Sequence, residues 1–63
     1  MNLRYWIEST HPKTDGILIM GVKNFKVEDT GILFVWLKSG CVGLGGELPN
    51  HVIRDWTDFT VYP

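Results

Sequence analysis

Two histidines and a cysteine are the residues of this chain best suited to zinc binding or nucleophilic catalysis: His11, Cys41 and His51. Zinc ligands usually come in closely spaced pairs, and no two of these three residues lie within five positions of each other. A Cys–His nucleophilic pair also needs a third group that orients the histidine, and no such motif accompanies them. We therefore expect no metal, no cofactor and no catalytic residue.

Acidic residues and one glycine-rich segment offer two further kinds of site. Glu28-Asp29 lies in a turn-forming stretch, where carboxylates commonly serve as solvated turn formers. Gly43-Leu44-Gly45-Gly46 lacks both the Gly-x-Gly-x-x-Gly spacing and the Gly-Lys-Ser/Thr ending of phosphate-binding loops. A chain of 63 residues also has little room for a concave pocket. We expect a non-enzymatic protein, with ligand binding or catalysis at a dimer interface as a weaker alternative.

Aromatic residues carry the main functional signal. Five of them share one parity in the predicted strands, so a regular sheet would place them on one face: Trp6, Phe34, Trp36, Trp56 and Tyr62. Aromatic side chains are enriched at protein interfaces and supply many of their hot spots. We predict that this face binds a protein partner and that charged residues form its rim: Arg4, Lys38, Asp55 and Asp58.

The element that must position these rings is a run of six apolar residues, 32–37. Alternation directs Leu33, Val35 and Leu37 to one face and Ile32, Phe34 and Trp36 to the other. A chain this short builds roughly one core, which covers only one of these apolar faces. We therefore expect a second copy or a foreign protein to cover the other face. Pairing between copies through an edge strand such as 17–22 is a related route.

Short alternating segments separated by turn residues predict an all-β fold, a five-stranded antiparallel meander within one domain spanning residues 1–63. The predicted strands are 3–8, 17–22 (with a bend at Gly21 and an extended continuation to 28), 32–37, 41–44 and 56–62. Residues 48–55 are predicted to form one helical turn before the last strand. The predicted core face carries Leu3, Tyr5, Ile7, Leu33, Val35, Leu37, Phe59 and Val61.

Residues 46–52, Gly-Glu-Leu-Pro-Asn-His-Val, resemble the Gly-x-x-Pro-Ser-Asn-Tyr-Val segment near the end of SH3 domains, with one position fewer. The Ala-Leu-Tyr-Asp-Tyr start and the acidic first loop of that family are absent. The resemblance implies an SH3-like barrel. It implies no proline-peptide groove, because function belongs to sites and not to folds.

The charge pattern bears on nucleic-acid binding. Six basic residues stand against seven acidic ones, and the basic residues are scattered singly along the chain. Duplex-binding proteins concentrate basic charge on one face, so this pattern weighs against nucleic acid and equally against a polybasic membrane surface. A barrel that stacks single-stranded bases remains the alternative, with phosphate contacts from Arg4, Lys23, Lys26 and Lys38.

Cysteine usage and hydropathy lead us to expect a small cytoplasmic protein. The single cysteine excludes an internal disulfide, and no apolar stretch approaches the roughly 18 residues of a membrane helix. The residues after Met1 do not resemble a signal peptide, and we expect a complete small gene product. Its size is typical of accessory regulators or inhibitors, including those encoded by phages and mobile elements.

Overall fold

Six β-strands make up the regular structure of the described part of this protein. The computed structural model describes residues 1–9, 15–39 and 48–63. The strands are β1 (Asn2–Ile7), β2 (Ile17–Ile19), β3 (Val22–Val27), β4 (Leu33–Leu37), β5 (His51–Ile53) and β6 (Trp56–Tyr62). Within those three ranges there is no helix, and hence none that could cross a membrane.

The strands form two three-stranded antiparallel sheets. Sheet A has the order β2-β1-β6, and sheet B has the order β3-β4-β5. The chain passes from sheet A to sheet B between β2 and β3, and it returns between β5 and β6. Gly21 makes the first passage with φ = 67°, a left-handed conformation that glycine adopts without strain. The predicted bend at Gly21 is therefore confirmed, and it divides the predicted second strand into β2 and β3.

The core lies between the inner faces of the two sheets. Six buried aliphatic residues form it: Leu3, Ile19, Val22, Leu33, Val35 and Ile53. Further residues of the predicted core face pack against this cluster while partly exposed: Tyr5, Leu37, Phe59 and Val61. Each fully buried aliphatic side chain stabilises the fold by roughly 1.5–3 kcal/mol, so the inward side of β4 contributes much of the stability.

The prediction of a five-stranded meander that forms an SH3-like barrel is not confirmed. Within residues 1–9, 15–39 and 48–63 each sheet keeps two edge strands, β2 and β6 in sheet A and β3 and β5 in sheet B, so these strands do not close into a barrel. Two of the edge strands, β2 and β5, contain only three residues each, which leaves little backbone to pair across the gap. The predicted strand 41–44 lies outside the described residues.

The predicted helical turn over residues 48–55 is wrong. This segment contains the extended strand β5, followed by a bend at Arg54 and Asp55. The backbone N–H of Asn50 donates to the carbonyl of Val35 across 2.8 Å, and β5 then pairs with β4. Pairing with a buried neighbouring strand satisfies the backbone polar groups of this segment better than one isolated helical turn could.

Candidate protein interface

Phe34 and Trp36 lie side by side on the outer face of sheet B. The alternation of β4 buries Leu33 and Val35 completely and turns these two rings to the opposite face. Their ring centroids are 6.2 Å apart, with an interplanar angle of 51°. Together with residues from both neighbouring segments they line an open cavity of about 240 Å³. We term this cavity the β4 groove; it is lined by Lys26, Glu28, Phe34, Trp36 and Pro49.

Asn50 holds one wall of the β4 groove in place. Its side-chain Oδ1 accepts a hydrogen bond from the Leu37 backbone N–H across 2.8 Å, and its own N–H donates to Val35. Two bonds from one residue fix the chain that enters β5 against the end of β4. Pro49 precedes Asn50 and is thereby placed beside the rings of Phe34 and Trp36.

Charged side chains of both signs border the groove. Lys26 stands opposite Phe34 in the register of β3 and β4, and its Nζ lies 3.8 Å from Glu28 Oε1. The two side chains are 63% and 39% exposed, so the ion pair contributes at most about 1 kcal/mol to stability. On the other side of β4, Val52 stands opposite Phe34 and is exposed. The groove therefore has an apolar floor and one charged wall.

Trp6 lies on the outer face of sheet A, across the core from the β4 groove. It stands opposite Asp58 in the register of β1 and β6. Arg4, on the same face, donates from Nε to Tyr62 Oη across 3.1 Å and from Nη1 to the Asp15 carbonyl across 2.6 Å. The predicted aromatic face is thus divided between two opposite sides of the molecule, since the inner faces of both sheets are occupied by the core.

Trp56 is not on an outer face, and its predicted placement there is wrong. It packs against the core, with its ring centroid 5.3 Å from that of Phe59 in an edge-to-face arrangement. The cause is a bulge: Trp6 pairs with Asp58 but Ile7 pairs with Trp56, so Thr57 is an extra residue in β6. One inserted residue reverses the side to which the preceding side chain points.

The two remaining rim residues lie at separate places. Lys38 is beside the amino terminus, where loss of hydration and then the charge of Lys38 lower the pKa of the Met1 ammonium. Asp55 lines a second open cavity, of about 590 Å³, with Ile7, Glu8, Ser9 and Thr57. Partial burial, and secondarily the charge of Asp55, raise the pKa of Tyr5. Neither residue borders the β4 groove.

The described residues show no group of three or more side chains able to hold a metal ion. His51 is exposed on β5, whereas His11 and Cys41 lie outside the described residues.

Three members of the β4 groove were not predicted from the sequence as residues of a protein interface: Lys26, Glu28 and Pro49. Lys26 was predicted only as a phosphate contact in the nucleic-acid alternative. The alternation of side chains in β3 could have placed Lys26 on the outer face, because Phe25 packs against the core and the next residue therefore points away from it. Pro49 had no such signal, since its position depends on the hydrogen bonds that Asn50 makes with a strand far away in sequence.

Comparison with known proteins does not assign the chain to a family: no family model, no curated protein and no solved structure matches it.

Proposed function

We propose that this protein is a non-enzymatic binding module whose β4 groove holds a protein partner. The observation that carries the proposal is the outward pair Phe34 and Trp36, framed by Pro49 on a strand whose other face is buried. β4 is the central strand of its sheet and is paired on both sides, so the rings stand on a rigid support. Rigid aromatic anchors of this kind dominate the energetics of protein interfaces.

The size of the groove supports a side-chain anchor over a small-molecule ligand. Small-molecule sites usually enclose about 300–1,000 Å³. The β4 groove has about 240 Å³ and is open to solvent, which suits one large apolar side chain of a partner. Val52, exposed beside Phe34, extends the apolar contact for neighbouring residues of that partner.

The charges at the groove favour a protein over a nucleic acid. Lys26 can contact a phosphate, but Glu28 lines the same groove and would repel it. A polypeptide can present charges of both signs to this pair. We therefore do not propose single-stranded nucleic-acid binding as a second function, and the experiment below tests for it.

We also propose an SH3-like barrel that has opened between its two sheets. In support, the chain crosses from one sheet to the other twice, at Gly21 and at Arg54–Asp55. β2 and β3 therefore belong to different sheets, and so do β5 and β6. A role as a regulator or inhibitor encoded by a phage or mobile element is a proposal supported by the small size of the domain, and a cytoplasmic location is a proposal supported by the single cysteine.

The test is selection of ligands from a displayed peptide library, followed by amide chemical-shift mapping on the labelled protein. We expect selected peptides to share one large apolar residue and to shift the amides of β3, β4 and residues 50–52. Trp36→Ala should weaken binding at least roughly tenfold, as expected of a hot-spot residue. The matched control is Trp6→Ala, which removes a half-buried tryptophan from the outer face of sheet A and should leave affinity unchanged.

Three results would overturn the proposal: no selected peptide, binding that survives Trp36→Ala, or binding that is lost with Trp6→Ala. If Trp36→Ala does not fold, Pro49→Ala at the edge of the groove replaces it. A titration with a single-stranded oligonucleotide runs in parallel. Affinity for the oligonucleotide that falls steeply with salt and is lost in Trp36→Ala would favour base stacking instead.

A further inference from the structure

Strand β2 is an edge strand whose exposed side chains are apolar. It pairs with β1 on one side, and among the described residues no strand follows it in the order of sheet A. Ile17, Leu18 and Met20 are 39%, 42% and 69% exposed, so three large apolar side chains meet solvent within four positions. An edge strand also leaves one line of backbone amides and carbonyls without a neighbouring strand. Such an edge is complementary to another extended strand.

The other edge strands of the described sheets carry features that discourage pairing. β3 contains Lys23 and Lys26 and has an irregular register with β4 between Val22 and Asn24. β6 contains Asp58 and the bulge at Thr57. β5 is followed directly by Arg54 and Asp55. Charges, bulges and very short strands are the usual protections of natural sheet edges; β2 has neither a charge nor a bulge, and its length of three residues is the one protection it carries.

We propose that β2 pairs antiparallel with β2 of a second copy of this chain, about a two-fold axis at Leu18. In this register Leu18 stands opposite the partner's Leu18, and Ile17 stands opposite the partner's Ile19. Sheets A of the two copies then form one continuous six-stranded sheet. Asp15 stands opposite the partner's Gly21, so no like charges meet along the pairing.

A second copy fits this edge because a two-fold axis through a short, uncharged strand makes it complementary to itself. Full overlap of the three residues of β2 requires the axis to pass at Leu18, the central residue. The paired strands alone form a small contact, below the roughly 1,000 Å² expected of a tight interface, so the dimer should dissociate on dilution.

The dimer is independent of the β4 groove. Leu18 stands opposite Arg4, which places it on the outer face of sheet A, whereas Phe34 and Trp36 are on the outer face of sheet B. Each copy would therefore keep its groove open, and the assembly would present two grooves. Loss of the dimer and loss of partner binding can consequently be measured separately.

Analytical ultracentrifugation tests the proposal directly. We expect the wild-type protein to pass from monomer to dimer between about 10 μM and about 1 mM. Leu18→Lys and Leu18→Glu should each remain monomeric over this range, because the two-fold axis brings two like charges together. An equal mixture of the two variants should dimerise again, since the axis then places the lysine of one copy opposite the glutamate of the other.

Val27→Lys is the matched control, because Val27 is also 42% exposed and belongs to an edge strand of sheet B. It should dimerise like the wild type, and so should Trp36→Ala. A wild-type protein that stays monomeric at about 1 mM overturns the proposal. Dimers that still form in both Leu18→Lys and Leu18→Glu also overturn it. Circular dichroism confirms folding of each variant; if Leu18→Lys is unfolded, Met20→Glu at the most exposed of the three positions takes its place.

Discussion

Trp56 donates its indole Nε1–H to the carbonyl of Gly31 across 2.7 Å, and this bond joins the first residue of β6 to the turn between β3 and β4. The ring also packs edge-on against Phe59, whose own centroid is 5.6 Å from that of Phe25. Three aromatic side chains thus connect sheet A to sheet B. In the part of the chain that the structure describes, the core contains six buried aliphatic residues and the two sheets do not close into a barrel, so such a connection is needed.

Replacing Trp56 by phenylalanine should lower the free energy of unfolding by about 1–3 kcal/mol. Most of the aromatic packing is kept, but the Gly31 carbonyl loses its donor and some buried area is lost. Urea denaturation followed by circular dichroism measures the change. A loss below about 0.5 kcal/mol would mean that water satisfies the Gly31 carbonyl equally well.

Alanine at Gly16 should destabilise the protein more than alanine at Gly31. Both glycines have positive φ, 77° and 88°, so alanine at either position costs about 1–2 kcal/mol of backbone strain. A Cβ on Gly16 would also lie 2.7 Å from the Tyr5 carbonyl oxygen and 2.8 Å from Trp6 Nε1, whereas a Cβ on Gly31 meets nothing within 4 Å.

We expect the two variants to differ by more than about 1 kcal/mol in the free energy of unfolding. Parallel denaturant titrations supply the comparison. Equal losses would show that the β1 backbone and the Trp6 ring move aside from the Gly16 side chain without cost.

Alanine at Asn50 should cost about 1 kcal/mol and also weaken binding at the β4 groove. The Leu37 N–H loses its acceptor, and Pro49 is no longer held beside Trp36. Denaturant titrations measure the free energy of unfolding, and titration with a selected peptide measures the affinity of the groove. Asn24→Ala is the control, since Asn24 is exposed on the same outer face, opposite Trp36; it should change neither value. Unchanged affinity in Asn50→Ala would mean that Pro49 takes no part in the interface.

Stability should fall as the pH rises through the alkaline range, in part because of Tyr5. Its pKa is raised above 10.0 in the folded protein, first by burial and then by the charge of Asp55. The folded state therefore binds the phenolic proton more tightly than the unfolded state does. This contribution to stability is complete below the unfolded pKa and is lost as the pH rises through the folded pKa.

Denaturation midpoints at about pH 8, 10 and 11 for the wild type and Tyr5→Phe measure this dependence. Tyr5→Phe should show a shallower decline in stability than the wild type. Identical slopes for the wild type and Tyr5→Phe would exclude Tyr5 as a source of the pH dependence.

Local alternation was enough to predict much of the architecture. Leu3, Leu33 and Val35 were expected to face the core and are fully buried, because within a single strand the side of each residue follows from parity. The turn of Glu28 to Gly31 was also predicted; the Gly31 N–H donates to the Glu28 carbonyl across 2.8 Å, and Gly31 supplies the positive φ. These features depend on interactions between residues that are close in sequence, so the local sequence pattern was sufficient to predict them.

The composition of the candidate interface was decided by the tertiary structure. Alternation predicts that side chains of two strands share a face only if neither strand contains an inserted residue and both strands belong to one sheet. The bulge at Thr57 turns Trp56 into the core, and membership of different sheets places Trp6 and Trp36 on opposite sides of the molecule. Pro49 joins Trp36 only through hydrogen bonds between Asn50 and β4. Bulges, sheet membership and these bonds arise from contacts between residues distant in sequence, which no local pattern specifies.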